Sequence, residues 1–224
     1  MTSTVPIAIS SLPLEALGSV AAMAVAGEPG EAVRRRRVIR DALSIGLAVG
    51  TYGIAFGAAS VAAGLTVPQT ALLSMLAFTG GTQFAVVGVL AGGGTGASAV
   101  SSGLLLGARN TLYSVRLRPL LGVRGARRGL AAHGTIDETT AMAVAQPTPA
   151  LARAAFWWTA ASVWVGWNLA TLLGAFGANA LGDPARFGLD AVIPAAFLAL
   201  LAPRLRAGPV ERRVALLAAL VAWF

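Results

Sequence analysis

Three short stretches of this sequence carry groups able to do chemistry. The first is TGGTQF, Thr79 to Phe84, where two adjacent glycines, two threonines and a glutamine interrupt an otherwise apolar run. Adjacent glycines loosen a helix, and a helix that breaks exposes unpaired N–H groups at one end and carbonyls at the other. The N–H end attracts a carboxylate and the carbonyl end a cation. Secondary transporters hold small zwitterions and ions at such breaks near the middle of the bilayer. Thr79, Gly80, Gly81, Thr82 and Gln83 are therefore candidate substrate-binding residues. The plainer alternative is a kink sealed by neighbouring helices.

The second stretch is Arg109, Asn110 and Tyr113. Arg109 stands six residues before Val115, where its apolar segment ends, about 9 Å along a helix. It either snorkels to the surface or serves as a buried anchor, the default reading of an ionisable group inside a membrane. All three residues join the substrate-binding candidates. The third stretch is TIDETTA, which holds Asp137 and Glu138. Thr135 or Asp137 is placed to cap a helix, with Glu138 in its first turn. Asp137 is equally placed to bind a substrate amine, and Asp137 or Glu138 to carry a coupling proton. His133 reads as a loop residue. No nucleophile, base and orienting group come together in the sequence, so a non-enzyme is expected. The chain has no Cys and one His, which leaves neither thiolate chemistry nor a dedicated metal site, and no cofactor is expected.

The elements that must position these groups are apolar. Of 224 residues, 56% are hydrophobic and 12% charged, against about 25% charged in an average soluble domain. The mean hydropathy is +0.74. The apolar blocks are continuous and rich in Ala, Leu, Gly and Val, which fits membrane-spanning helices of about 20 residues rather than the alternating strands of a barrel. The expected fold is all-α, a polytopic transmembrane bundle containing a broken, re-entrant helix. All 17 basic residues are Arg, and the formal net charge is +8. They cluster between apolar blocks, which marks cytoplasmic loops rather than a nucleic-acid surface.

Arg34 to Arg37 and Arg40 place the N-terminus inside. Residues 1–38 are expected to be a poorly ordered cytoplasmic tail and 39–224 the transmembrane domain. Segment one spans Ala42 to Gly64, with Gly46, Gly50, Gly53 and Gly57 on one face, either for close helix packing or as the lining of a substrate path. Val67-Pro68-Gln69 reads as a turn. Segment two is Thr70 to Gly92, and segment three Ala97 to Val115. If each crosses once, the loop bearing Arg116, Arg118, Arg124, Arg127 and Arg128 falls outside, against the charge rule. Segment two is the one expected not to cross, with TGGTQF as its bend. A semi-polar stretch, Ala131 to Pro149, precedes segment four, Ala154 to Leu181. Segment five is Leu189 to Ala202 with Pro194. The eleven residues from Val214 reach only about 16 Å, so truncation of the domain at its C-terminal end is expected.

In this order, GIAFGAASVAAGL (Gly53 to Leu65), FTGGTQF (Phe78 to Phe84), ARNTLY (Ala108 to Tyr113), TIDET (Thr135 to Thr139) and the later PAAFLALLAP with Pro194 and Phe197 resemble the AzlC-type branched-chain amino acid transporter family. The likeness runs from about Ile39 to Ala202. Two positions depart from the family pattern, Gly107 where an Asn is usual and Asn110 where a His is usual. The resemblance implies an exporter of branched-chain amino acids in the bacterial cytoplasmic membrane, working with a small hydrophobic AzlD-type subunit. On that reading the substrate carboxylate meets N–H groups near Gly80 and Gly81 with Arg109 as a second anchor. The ammonium meets carbonyls or Asp137, and small residues of segment one line the side-chain pocket. The alternative is a membrane scaffold without transport activity of its own.

Overall fold

The computed structural model describes residues 30–180 and 208–223, with single residues at 195, 198, 202, 205 and 206 between them. Most of segment five, Pro194 and Phe197 included, thus lies outside the described residues. Every element among the described residues is helical, with no strand. In chain order they are α1 (Glu31–Ala62), α2 (Val67–Leu76), α3 (Gly80–Ala91), α4 (Gly96–Gly107), α5 (Arg109–Leu121), α6 (Arg127–His133), α7 (Asp137–Val144), α8 (Pro149–Ala180) and α9 (Pro209–Trp223). The chain divides into two units, Met1–Arg37 and Val38–Phe224. In the first, residues 31–37 are helical. Val33 N and Arg34 N both bond to Gly30 O, and Glu, Ala and Arg are strong helix formers.

α1 and α8 are each 32 residues long, about 48 Å, and both are apolar enough to cross a membrane. They pack through the glycines of segment one. A Cβ on Gly46 would lie 2.6 Å from Ser162 Cβ, one on Gly50 3.2 Å from Gly166 C, and one on Gly53 2.7 Å from Trp167 O. Gly57 meets Thr171 and Ala175 in the same way. Later residues of α1 face later residues of α8, so the two run parallel. The Ser162 hydroxyl donates to Ala42 O at 2.7 Å across the same interface. The glycine face is therefore a helix contact and not a pocket lining, because backbone already fills the space in front of it.

Two hairpins lie along α8 and enter from its opposite ends. The first is α2 and α3. Ser74 meets α8 at Thr171, Phe78 shares a buried cluster with Val163, and Gln83 returns to Trp167. The second is α6 and α7. Ala131 clusters with Ala152 and Phe156, Gly134 approaches Ala160, Ile136 reaches Val163, and Ala143 is back beside Ala152. The two tips meet there, as Phe78, Ile136 and Val163 form one buried cluster. α4 and α5 make a nearly continuous rod past the tips. Only Ala108 separates them, in helical conformation, and Thr111 N bonds to Ala108 O three residues back.

Local sequence explains the ends. Val67-Pro68-Gln69 is the first turn of α2 and not a free turn. Thr66 and Gln69 form a capping box, with Gln69 Oε1 accepting from Thr66 N at 2.8 Å, and Pro is tolerated where no helical N–H is needed. The Thr95 hydroxyl accepts from Ser98 N at the start of α4. Gly122, at φ 61°, closes α5 in the left-handed conformation, its N–H bonding to Arg118 O. Thr148 and Pro149 open α8 as cap and first residue.

Candidate functional site

The first break spans residues 77–79, between α2 and α3. Thr79 N bonds to Ala77 O, and Thr79 Oγ1 donates to Thr82 Oγ1 at 3.3 Å. Gln83 seals the break. It is fully buried, its amide nitrogen donates to Ser74 O and Ala77 O, both at 3.1 Å, and its oxygen accepts from Trp167 Nε1 at 2.8 Å. Both amide hydrogens are used on carbonyls at the C-terminal end of α2 and in the break after it. The structure thus employs Gln83 to hold the break open against α8. Trp167 packs its ring on Phe56 and Phe84, a core contact, and its edge abuts Gly80, where a Cβ would come within 2.9 Å.

The second break spans 134–136, and the sequence reading did not foresee it. Thr139 reaches back to accept from Ile136 N at 3.0 Å, so the start of α7 is satisfied by Thr139 and not by Thr135 or Asp137. Thr135 instead donates to Ala131 O and closes α6. The signal lay in the sequence, since Gly134 and four polar residues at 135 and 137–139 disqualify Ala131 to Pro149 as a continuous lipid-facing helix. His133, at the end of α6, stacks on Phe78 with ring centroids 5.6 Å apart.

Each tip thus brings the carbonyl end of one short helix and the N–H end of another to the same level. The N-termini of α3 and α7 both face this region, and Asp137 and Glu138 occupy the first turn of α7, where negative charge is favoured. Arg109 bridges the two tips. Its Nη2 pairs with Asp137 Oδ2 at 3.1 Å, and it passes over Gly81, whose Cβ position would lie 3.5 Å from the same nitrogen. The pair is partly exposed, 35% and 44% for the two side chains, so its net contribution is small. Arg109 Nε and the adjacent Asn110 Oδ1 are buried with no hydrogen-bond partner among the described residues. Buried polar groups are nearly always paired, so an unpartnered donor and an unpartnered acceptor on consecutive residues are features a ligand would complete.

A cavity of about 590 Å³, within the size range of small-molecule sites, is lined by Asn110 and by residues of both tips, while Arg109 and Asp137 are not part of its wall. Thr79, Thr82, Asn110 and His133 supply polar lining. Val86, Val100 and Leu104 supply an apolar wall. Of the candidate residues, the structure brings together Thr79, Gly80, Gly81, Thr82, Arg109, Asn110 and Asp137. Tyr113 lies partly buried on the next turn of α5, and Glu138 partly buried beside Asp137. Among the described residues no group of three His, Asp or Glu side chains forms a metal site.

Residues 44–181 match the family model described as AzlC protein. A protein of Escherichia coli (strain K12) named Inner membrane protein YgaZ is 28% identical over 170 residues, covering 72% of this chain and 69% of that protein. No solved structure matches.

Proposed function

The chain belongs to the AzlC family, a family of membrane proteins with a transport-related role, and we propose that it exports branched-chain amino acids across the bacterial cytoplasmic membrane as the large subunit of a two-component secondary transporter. Residues 39–224 are the multi-pass transport domain. α1 and α8 cross from the arginine side outward. The hairpin of α2 and α3 re-enters from the outer face, that of α6 and α7 from the cytoplasmic face, and the rod of α4 and α5 crosses between them. The parallel packing of α1 and α8 supports this, since it demands an odd number of crossings between them. The small partner is a hydrophobic AzlD-type subunit.

The observation that carries the reading is the pair of unfilled groups, Arg109 Nε and Asn110 Oδ1, beside a partly exposed Arg109–Asp137 ion pair at the meeting of two helix breaks. A zwitterion fits this arrangement charge for charge. Its carboxylate takes Arg109 and the N–H end of α3 at Gly80 and Gly81. Its ammonium takes Asp137, Asn110 and the carbonyls freed at the breaks. The ion pair opens without leaving either charge bare, which is what makes the exchange feasible in a region of low dielectric. The branched side chain lies against Val86, Val100 and Leu104, in place of the segment-one glycines. Asp137, with Glu138 as its neighbour in the same turn, is the group proposed to couple export to the proton gradient.

The test is efflux of labelled leucine from loaded vesicles holding the chain and its small partner, under imposed pH gradients. Asp137→Asn is expected to insert normally and lose at least tenfold in efflux, and the keto acid of leucine, lacking the ammonium, is expected not to compete. Absence of efflux from the unaltered pair counts against transport. Undiminished efflux by Asp137→Asn with impaired assembly favours a scaffold role for this site.

A further inference from the structure

The region after α5 holds a second cavity, of about 670 Å³, whose lining includes no residue of either helix break. Gly122 and Gly125, both in the left-handed conformation, fold the 122–126 loop back on itself. Arg124, Arg127 and, from α8, Arg153 thereby line one space, together with Trp157 and Leu130. Among the described residues no carboxylate pairs with any of these three arginines. Positive-inside loops need charge but no cavity, so convergence of three guanidinium groups from separated stretches is an additional feature.

The wall has two characters. Arg side chains recognise phosphate oxygens in a bidentate way. Trp157, half-buried with its ring edge-to-face on Phe156 at 5.1 Å, and Leu130, 63% exposed, provide an apolar side. A free phosphate ion leaves that side uncovered. A phospholipid headgroup with its acyl chains covers both, and Trp is the residue favoured at the headgroup level. We propose that this cavity binds the phosphate of an anionic phospholipid of the cytoplasmic leaflet and fixes the 122–126 loop against α8. Basic pockets between helices on this side of a membrane recognise such headgroups by the same forces.

The test is native mass spectrometry of the full chain in detergent, titrated with phosphatidylglycerol and, separately, phosphatidylcholine. The unaltered chain is expected to retain phosphatidylglycerol preferentially. The triple variant R124Q/R127Q/R153Q is expected to lose that preference by roughly a hundredfold, taking about fivefold per arginine. The variant R35Q/R36Q/R37Q, with the same loss of charge elsewhere, is expected to keep it. If the first triple variant does not fold, R124Q and R153Q singly are read instead, each predicted to lower the preference roughly fivefold. An undiminished preference in the cavity variants, or an equal loss in both triples, overturns the proposal. Displacement of the lipid by inorganic phosphate at millimolar concentration overturns the lipid as its occupant.

Discussion

Gln83 joins the two parts of the molecule on which everything else rests. Its amide ties the end of α2 to Trp167 of α8 through three hydrogen bonds with no exposure to solvent. Gln83→Leu keeps the volume, strands Ser74 O and the Trp167 indole N–H, and leaves Ala77 O with Thr79 N alone. It is expected to cost about 1–3 kcal/mol, the range for buried groups left unpaired. In detergent the unfolding midpoint should fall by about 4–8 °C. Equal midpoints for Gln83→Leu and the unaltered chain would refute the sealing role. The sequence exposed Gln83 as a polar group at a break. It did not reveal the partner, because Trp167 lies 84 residues away and only packing brings it there.

Among the elements, the parallel contact of α1 and α8 has a sharp requirement. A Cβ on Gly53 meets Trp167 O at 2.7 Å and Ala170 Cβ at 3.1 Å, and backbone does not yield as a side chain does. Gly53→Val is expected to separate the helices and destabilise the fold by about 1–3 kcal/mol. Gly177, also in α8, has nothing within 4 Å of its Cβ position. Gly177→Ala is expected to be neutral or stabilising by up to about 1 kcal/mol, as helix propensity alone dictates. Thermal unfolding of the two variants side by side checks the contrast. The glycine spacing at 46, 50, 53 and 57 was legible in the sequence as a small face, since helical periodicity is local. Its partner was not, because Ser162, Gly166 and Ala170 form no comparable stripe of glycines. The break at 77–79 was legible from Gly80 and Gly81. The break at 134–136 was hidden because Asp137 and Glu138 read equally well as the capped start of an ordinary helix.

For the molecule as a whole, the proposed topology is supported by the placement of the arginines and by the parallel packing of α1 and α8. Arg34 to Arg40 lie near the start of α1, Arg153 lies in the first turns of α8, and the two helices point the same way. The arginines from Arg116, near the end of α5, to Arg128, at the start of α6, then fall on the arginine side only if the chain from Val67 to Ala91 enters and leaves by one face. Phe78, at the tip, packs at Val163, while Ser74 and Gln83 on its two arms meet Thr171 and Trp167. A chain without Cys lends itself to single-cysteine labelling by an impermeant thiol reagent in right-side-out and inverted vesicles. Cysteines at Gln69 and Ala91, the two ends of the first hairpin, are expected to react from the outer face, and cysteines at Ala126 and Ala145, the ends of the second, from the cytoplasmic face. Labelling of positions 69 and 91 from opposite faces would contradict the account, because Val67 to Ala91 would then cross the membrane and the two hairpins would not be opposed.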